Sequence, residues 1–199
     1  PQLDINGNPI GGLTGFMRSL QKEVRRAKPD RVAICWEGPG GSQKRREKNK
    51  NYKLGRKAPR LNREYTFATP EEERENKYSQ LVRLTEYLDN LPILQLSIEN
   101  VEADDIIAWL CHCNEYSDWQ KLIISNDKDF IQLCDDKTVL VRPGKNEEVL
   151  NKNNVLEQYN IHPRNFAWAR AITGDKSDNL EGVKGLGLAT VAKRFSFLS

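Results

Sequence analysis

Three short acidic clusters constrain this chain more than any other feature: Glu102-Ala103-Asp104-Asp105, Asn126-Asp127-Lys128-Asp129 and Gly174-Asp175-Lys176-Ser177-Asp178. Together they hold seven carboxylates, Glu102, Asp104, Asp105, Asp127, Asp129, Asp175 and Asp178. Carboxylates repel one another and resist dehydration, so a fold that gathers them does so mainly around a hard cation. The third cluster leads into Gly182-Val183-Lys184-Gly185-Leu186-Gly187, a glycine-punctuated segment whose backbone amides suit a phosphate. Each cluster also has a plain structural reading, because acids favour the first turn of a helix and Asp, Asn and Ser favour caps and turns. Their coincidence at predicted element ends beside the glycines favours metal-dependent chemistry on nucleic acid.

Composition narrows the partners. At 199 residues the chain can bury one good core, with room for a small attached subdomain. No apolar run approaches the roughly 20 residues that cross a bilayer, and no signal-peptide pattern opens the sequence, so no membrane partner is expected. The net charge is only +3, but residues 43 to 63 hold ten Lys or Arg against one acid, Glu47. Such asymmetry fits a protein that holds a polyanion in one place and cations in another. Tyr52 lies within the basic stretch, where an aromatic among cations suits stacking on a single strand; a solvated surface segment has the same composition. Cys35, Cys111, Cys113 and Cys134 read as free thiols of a reducing compartment. Cys111-His112-Cys113 does not read as a zinc site, because adjacent helix residues diverge by about 100° and no second pair has suitable spacing. His162, before Pro163, reads as a turn residue.

Periodicity predicts a helix over 13–27 after Gly11-Gly12, a buried strand over 31–36 with Glu37 at its end, and a breaker at Gly38-Pro39-Gly40-Gly41. Thr69-Pro70-Glu71-Glu72-Glu73 is a strong helix start, with Thr as cap, Pro in the first turn and acids against the dipole; that helix runs to about Leu88, with Leu81, Leu84 and Leu88 inward. Strands over 93–98, 122–125 and 138–141 then alternate with helices over 102–115 and 128–133, which implies a parallel sheet. After Asn151 only helices are predicted, over 152–159, 163–173 and 188–196. In open parallel sheets ligands gather at the carboxyl ends of strands, which is where Asp127 and Asp129 fall. Glu102 and Asp105 lie three residues apart in one helical turn and share a face. Leu188, Val191, Ala192 and Phe195 form the inner stripe of the last helix, with Lys193 and Arg194 outside it.

Residues 171–187, Ala-Ile-Thr-Gly-Asp-Lys-Ser-Asp-Asn-Leu-Glu-Gly-Val-Lys-Gly-Leu-Gly, resemble the signature of the flap-endonuclease/5′-nuclease family. Val101-Glu102-Ala103-Asp104-Asp105 and Ser125-Asn126-Asp127-Lys128-Asp129 are similar to its two other acidic motifs, in the same order. Arg45-Arg46-Glu47 followed by Tyr52-Lys53-Leu54-Gly55-Arg56 resembles its helical arch. The resemblance spans nearly the whole chain and implies a PIN-like α/β fold with a largely parallel central sheet, a basic arch over about 42–66, and a helix–three-turn–helix element. On that reading residues 1–150 form the nuclease core and 151–199 a helical DNA-binding subdomain.

The resemblance further implies two divalent ions, magnesium or manganese, held by Glu102, Asp104, Asp127, Asp129 and Asp178, with Asp105 and Asp175 next and Glu37 where the family usually has Asp. Lys53, Arg45 and Tyr52 would meet the 5′ strand and the scissile phosphate. Lys44, Arg46, Arg56, Gly182, Lys184, Gly185, Gly187 and Lys193 would contact DNA, with K⁺ on the glycine hairpin. Family members begin with a strand bearing a further metal Asp and continue into more carboxyl-terminal helices; this chain starts at Pro1, just beyond that strand, and ends at Ser199. The expected activity is two-metal 5′→3′ exonuclease or flap endonuclease cleavage of DNA, or of RNA–DNA hybrids, by a cytoplasmic monomer of a bacterium or phage-infected cell. A non-catalytic DNA-binding module of the same fold is the alternative. A small toxin-type ribonuclease fits less well, since it needs no duplex grip.

Overall fold

The computed structural model describes residues 2–54, 69–144 and 146–199, which divide into two compact units. The first unit is built on two helices and a parallel strand pair. Helix α1 (Gly11–Ala27) presents Leu13, Phe16, Met17 and Leu20 at helical spacing, and ends where Lys28 turns left-handed (φ 47°) and donates its amide to the Val24 carbonyl. Helix α3 (Pro70–Asp89) begins with the expected capping box: the Glu72 amide donates to Thr69 Oγ1 and the Thr69 amide to Glu72. Leu84 and Leu88 are buried against α1, whereas Leu81, expected inward, is 40% exposed. One seam of i, i+4 residues meets α1, and Leu81 lies beyond it. Strand β1 (Val32–Cys35) pairs in parallel with β2 (Ile93–Leu96), Val32 opposite Ile93 and Cys35 opposite Leu96.

The second unit holds the short basic helix α2 (Gln43–Lys48), helix α4 (Ala103–His112), and a sheet of β3 (Lys121–Ile124), β4 (Thr138–Arg142) and β5 (Glu148–Leu150). β3 runs parallel to β4, and β5 returns antiparallel, so two of the three ladders in the described residues are parallel. β5 was not expected; at three residues it is too short to show a period. Helices α5 (Lys152–Tyr159), α6 (Phe166–Thr173) and α7 (Leu188–Arg194) close the core, in which Leu140, Leu150, Val155, Ile161, Phe166 and Val191 are all at most 1% exposed. The predicted 163–173 helix divides at a 3₁₀ turn, Pro163–Asn165, whose entry His162 caps by accepting from the Arg164 amide at 3.3 Å. Among the described residues Cys35, Cys111, Cys113 and Cys134 form no disulfide; burial pushes the Cys134 thiol up to about 11, and it serves as core filling.

Candidate metal and nucleic-acid site

All of the acidic clusters lie in the second unit, and its backbone contacts explain their positions. Gly38 donates its amide to the Val101 carbonyl at 3.2 Å, and a Cβ there would lie 1.8 Å from the Ile98 carbonyl oxygen, so only glycine permits the approach. The contact brings Glu37 to the head of α4, where its carboxylate accepts from the Ala103 amide at 3.2 Å and satisfies an otherwise open N–H group.

The first cluster divides between two environments. Glu102, the residue entering α4, is 1% exposed and pairs with Arg45 and with Lys53 Nζ, the latter at 3.0 Å. Arg45 Nη2 also reaches Asp105 Oδ1 at 2.8 Å, so the shared face of Glu102 and Asp105 is turned to the basic segment. Asp104 instead senses the second cluster: burial and the neighbouring Asp127 push its carboxyl up, Lys53 and Arg45 pull it down, and Glu37 adds to the rise.

In the second cluster the Asp127 amide donates to Ser125 Oγ at 3.1 Å, and the Asp129 amide to Asp127 Oδ1 at 2.8 Å. This turn opens a 3₁₀ segment, Lys128–Leu133, that anchors itself through buried Phe130 and Ile131. Burial and Asp127 push the Asp129 carboxyl up, and Arg170 opposes them.

The third cluster is a loop closed on itself. Helix α6 ends at Gly174 (φ 74°), and Gly182 packs so tightly that a Cβ there would lie 2.1 Å from the Thr173 carbonyl carbon. Asp175 and Leu180 exchange two backbone bonds of 2.8 Å. The Ser177 amide and hydroxyl donate to Asp175 Oδ1 at 2.7 and 2.6 Å. Burial acts upward on the Asp175 carboxyl, but the Ser177 bonds and Arg170 outweigh it and hold the group below its ordinary range.

Carboxylate oxygens of Asp129, Asp175 and Asp178 lie within 4.8 Å of one another, the group among the described residues whose ligand atoms are close enough to share an ion. Three hard oxygen donors at that spacing fit a magnesium-class cation and suit a soft metal poorly. Asp127 acts electrostatically on both Asp104 and Asp129 and so links the triad to the first cluster. The base of the expected arch is tied to the same loop: the Lys53 amide donates to the Asp178 carbonyl at 3.0 Å, and Asn179 Nδ2 to the Asn51 carbonyl at 3.1 Å. Gly182, Lys184, Gly185 and Gly187 line a cleft of about 1280 Å³ together with Asp127, Asp175, Lys128, Arg142 and Arg170. Carboxylates, cationic side chains and the glycine segment therefore open onto one space.

Other expected residues stand apart. Tyr52 is 7% exposed, with Arg45 donating to its hydroxyl at 3.4 Å and Lys53 Nζ 4.9 Å from its ring centre, so its face is not offered to a base as expected. Arg46 lines a separate small cleft with Gln43 and Glu47, and Lys44 and Lys193 are exposed. Arg56 and the 55–66 part of the arch lie outside the described residues. The sequence reading missed Arg170 and Arg142. Arg170 stands five residues before Asp175 and lies on the face of α6 that meets the loop, which was the available signal.

Known proteins resemble this chain in sequence and in fold. The family described as 5′-3′ exonuclease, N-terminal resolvase-like domain, matches residues 2–160. The 5′-3′ exonuclease of Buchnera aphidicola subsp. Schizaphis graminum is 32% identical over 197 residues, 95% of this chain and 62% of that protein. The thermostable DNA polymerase I of Thermus aquaticus is 33% identical over 187 residues, 94% of this chain and 20% of the polymerase. The chain thus spans less than two thirds of the exonuclease and one fifth of the polymerase. The bacteriophage T5 D15 flap endonuclease, crystallised as a pseudo-enzyme-product complex with DNA and metal ions, shares the fold with a TM-score of 0.71, at 22% identity over 92% of this chain and 66% of its own.

Proposed function

The chain belongs to the 5′-3′ exonuclease family, and from that premise we propose that it hydrolyses phosphodiester bonds of DNA at 5′ ends or 5′ flaps, using divalent cations. The observation that carries the proposal is the approach of Asp129, Asp175 and Asp178 to within 4.8 Å of one another. These three would hold Mg²⁺ or Mn²⁺, with Asp127, Asp104 and Glu37 alongside. A divalent ion so bound lowers the pKa of a coordinated water and screens the charge of the phosphate under attack.

The protein's own groups supply binding and orientation. Lys53 and Arg45, which pair with Glu102, would offset phosphate charge beside the acidic strip. Residues 151–199 act as the duplex grip, with Lys184 and the glycines contacting the backbone without reading sequence and the hairpin carbonyls offering a seat for K⁺. In support, the T5 flap endonuclease of the same fold was crystallised with DNA and metal ions. Binding is expected to be by a monomer and to weaken steeply with salt.

The test is cleavage of an end-labelled 5′-flap duplex by the intact gene product with Mg²⁺, with Mn²⁺ or with EDTA. Metal-dependent release of 5′ fragments is expected. Binding of the duplex with no cleavage in either metal would overturn the enzymatic reading and leave a DNA-binding module.

A further inference from the structure

Arg170 sits among the carboxylates that the proposed function assigns to a cation, and the role inferred for it rests on that assignment. Its side chain is 22% exposed and its guanidinium is engaged on all three nitrogens: Nε lies 3.4 Å from Asp129 Oδ1, Nη1 lies 3.4 Å from the Gly174 carbonyl, and Nη2 pairs with Asp175 Oδ2. Two members of the ligand triad are thus already bridged by a positive charge from within the chain. The arrangement answers the repulsion among Asp127, Asp129 and Asp175, which otherwise opposes closing the 174–182 loop against the second cluster. It also competes with a metal. An ion shared by Asp129, Asp175 and Asp178 must take lone pairs that the guanidinium now uses, and it would lie a few ångströms from a like charge.

We propose that Arg170 is an exchangeable counter-ion. Paired with Asp129 and Asp175 it keeps the metal-free cluster together; when a divalent cation enters, it yields those oxygens, and the exchange sets how tightly the ion is held. The role is one of positioning and tuning, because Arg170 acts through the ligands.

The test is Mn²⁺ binding followed by electron paramagnetic resonance, without DNA, for the wild type, Arg170→Gln and Arg170→Lys. Arg170→Gln should bind Mn²⁺ at least about tenfold more tightly, since removing a unit charge so close to a divalent ion relieves strong repulsion. It should also melt lower without metal and recover on metal addition, and Arg170→Lys should bind nearly as the wild type does. Equal or weaker Mn²⁺ binding by Arg170→Gln overturns the inference and makes Arg170 a fixed strut. No Mn²⁺ uptake by the wild type or either variant overturns the metal reading itself, and this inference with it. Should Arg170→Gln not fold, the wild-type Arg170 Nε–H resonance decides: it should shift and exchange faster as Mg²⁺ is added, and an unchanged signal overturns the exchange.

Discussion

The backbone amide of Lys53 donates to the carbonyl of Asp178 at 3.0 Å, so a residue of the basic segment that follows α2 and a residue of the third acidic loop share a peptide-to-peptide bond. Lys53 adopts a left-handed conformation (φ 55°) at that bond, and its side chain turns to Glu102. One residue therefore connects this basic segment to two acidic clusters, by its main chain to one and its side chain to the other.

The neighbouring bond from Asn179 Nδ2 to the Asn51 carbonyl is the part of this tie that mutation can remove. Asn179 is left-handed (φ 58°), so Asn179→Gly keeps the backbone while deleting the donor. Amides of residues 51–54 should exchange with solvent faster in Asn179→Gly, with a stability loss of about 1 kcal/mol. Exchange as slow as in the wild type would show that the Lys53 bond alone fastens residues 51–54.

Asp129→Asn and Asp175→Asn each remove a charge from the triad. Both should abolish the rise in melting temperature produced by Mg²⁺ and slow cleavage at least about a hundredfold, a loss of the several kcal/mol that metal-ion catalysis supplies. Duplex affinity in EDTA should be retained, and a fluorescence anisotropy titration checks it.

Glycine at 38 and at 185 should respond differently to alanine. At Gly38 the new methyl would meet the Ile98 carbonyl oxygen at 1.8 Å, and urea melts should show a loss of about 1–3 kcal/mol or more from overpacking. Gly185 has open space and only its φ of 81° to defend, so Gly185→Ala should cost roughly 1–2 kcal/mol.

Lys184 lines the cleft beside the glycine segment. If it contacts a phosphate, Lys184→Ala should reduce the slope of log K against log salt by about 0.9 while weakening all duplex sequences alike. An unchanged slope would remove Lys184 from the interface.

Asp135 lies away from the site and gives a pH test. Burial pushes its carboxyl up, but bonds from the Lys137 and Thr138 amides, at 2.8 and 2.6 Å, and the Lys121 charge outweigh it, so the folded pKa falls below the ordinary 3.8. Its stabilisation is therefore complete above pH 3.8 and lost as pH falls through the lower folded value. Asp135→Asn should melt below the wild type at neutral pH, and the gap should close under strongly acidic conditions.

The elements were legible where a local rule sufficed. Thr69 with Glu72 marks a helix start without reference to anything distant, and the alternation of strands with helices announces parallel ladders. The carboxylates were legible as types, because few folds tolerate seven of them in three clusters. Their pairings were not. That Glu102 meets Lys53 and Arg45, and that Arg170 bridges Asp129 and Asp175, depends on contacts spanning 49 and 41 residues, which no periodicity encodes. Tyr52 shows the same limit: its place among cations suggested an exposed ring, but the charges cover it.

The closure of residues 174–182 has a consequence for how such a chain can change over time. With Gly174 and Gly182 back to back and Asp175 bonded across to Leu180, the spacing from Asp175 to Asp178 is metered by the closure rather than by the surrounding helices. An inserted or deleted residue would have to part the two glycines before it could be accommodated. Drift in this segment should therefore proceed by exchange of side chains at constant length, with both glycines kept.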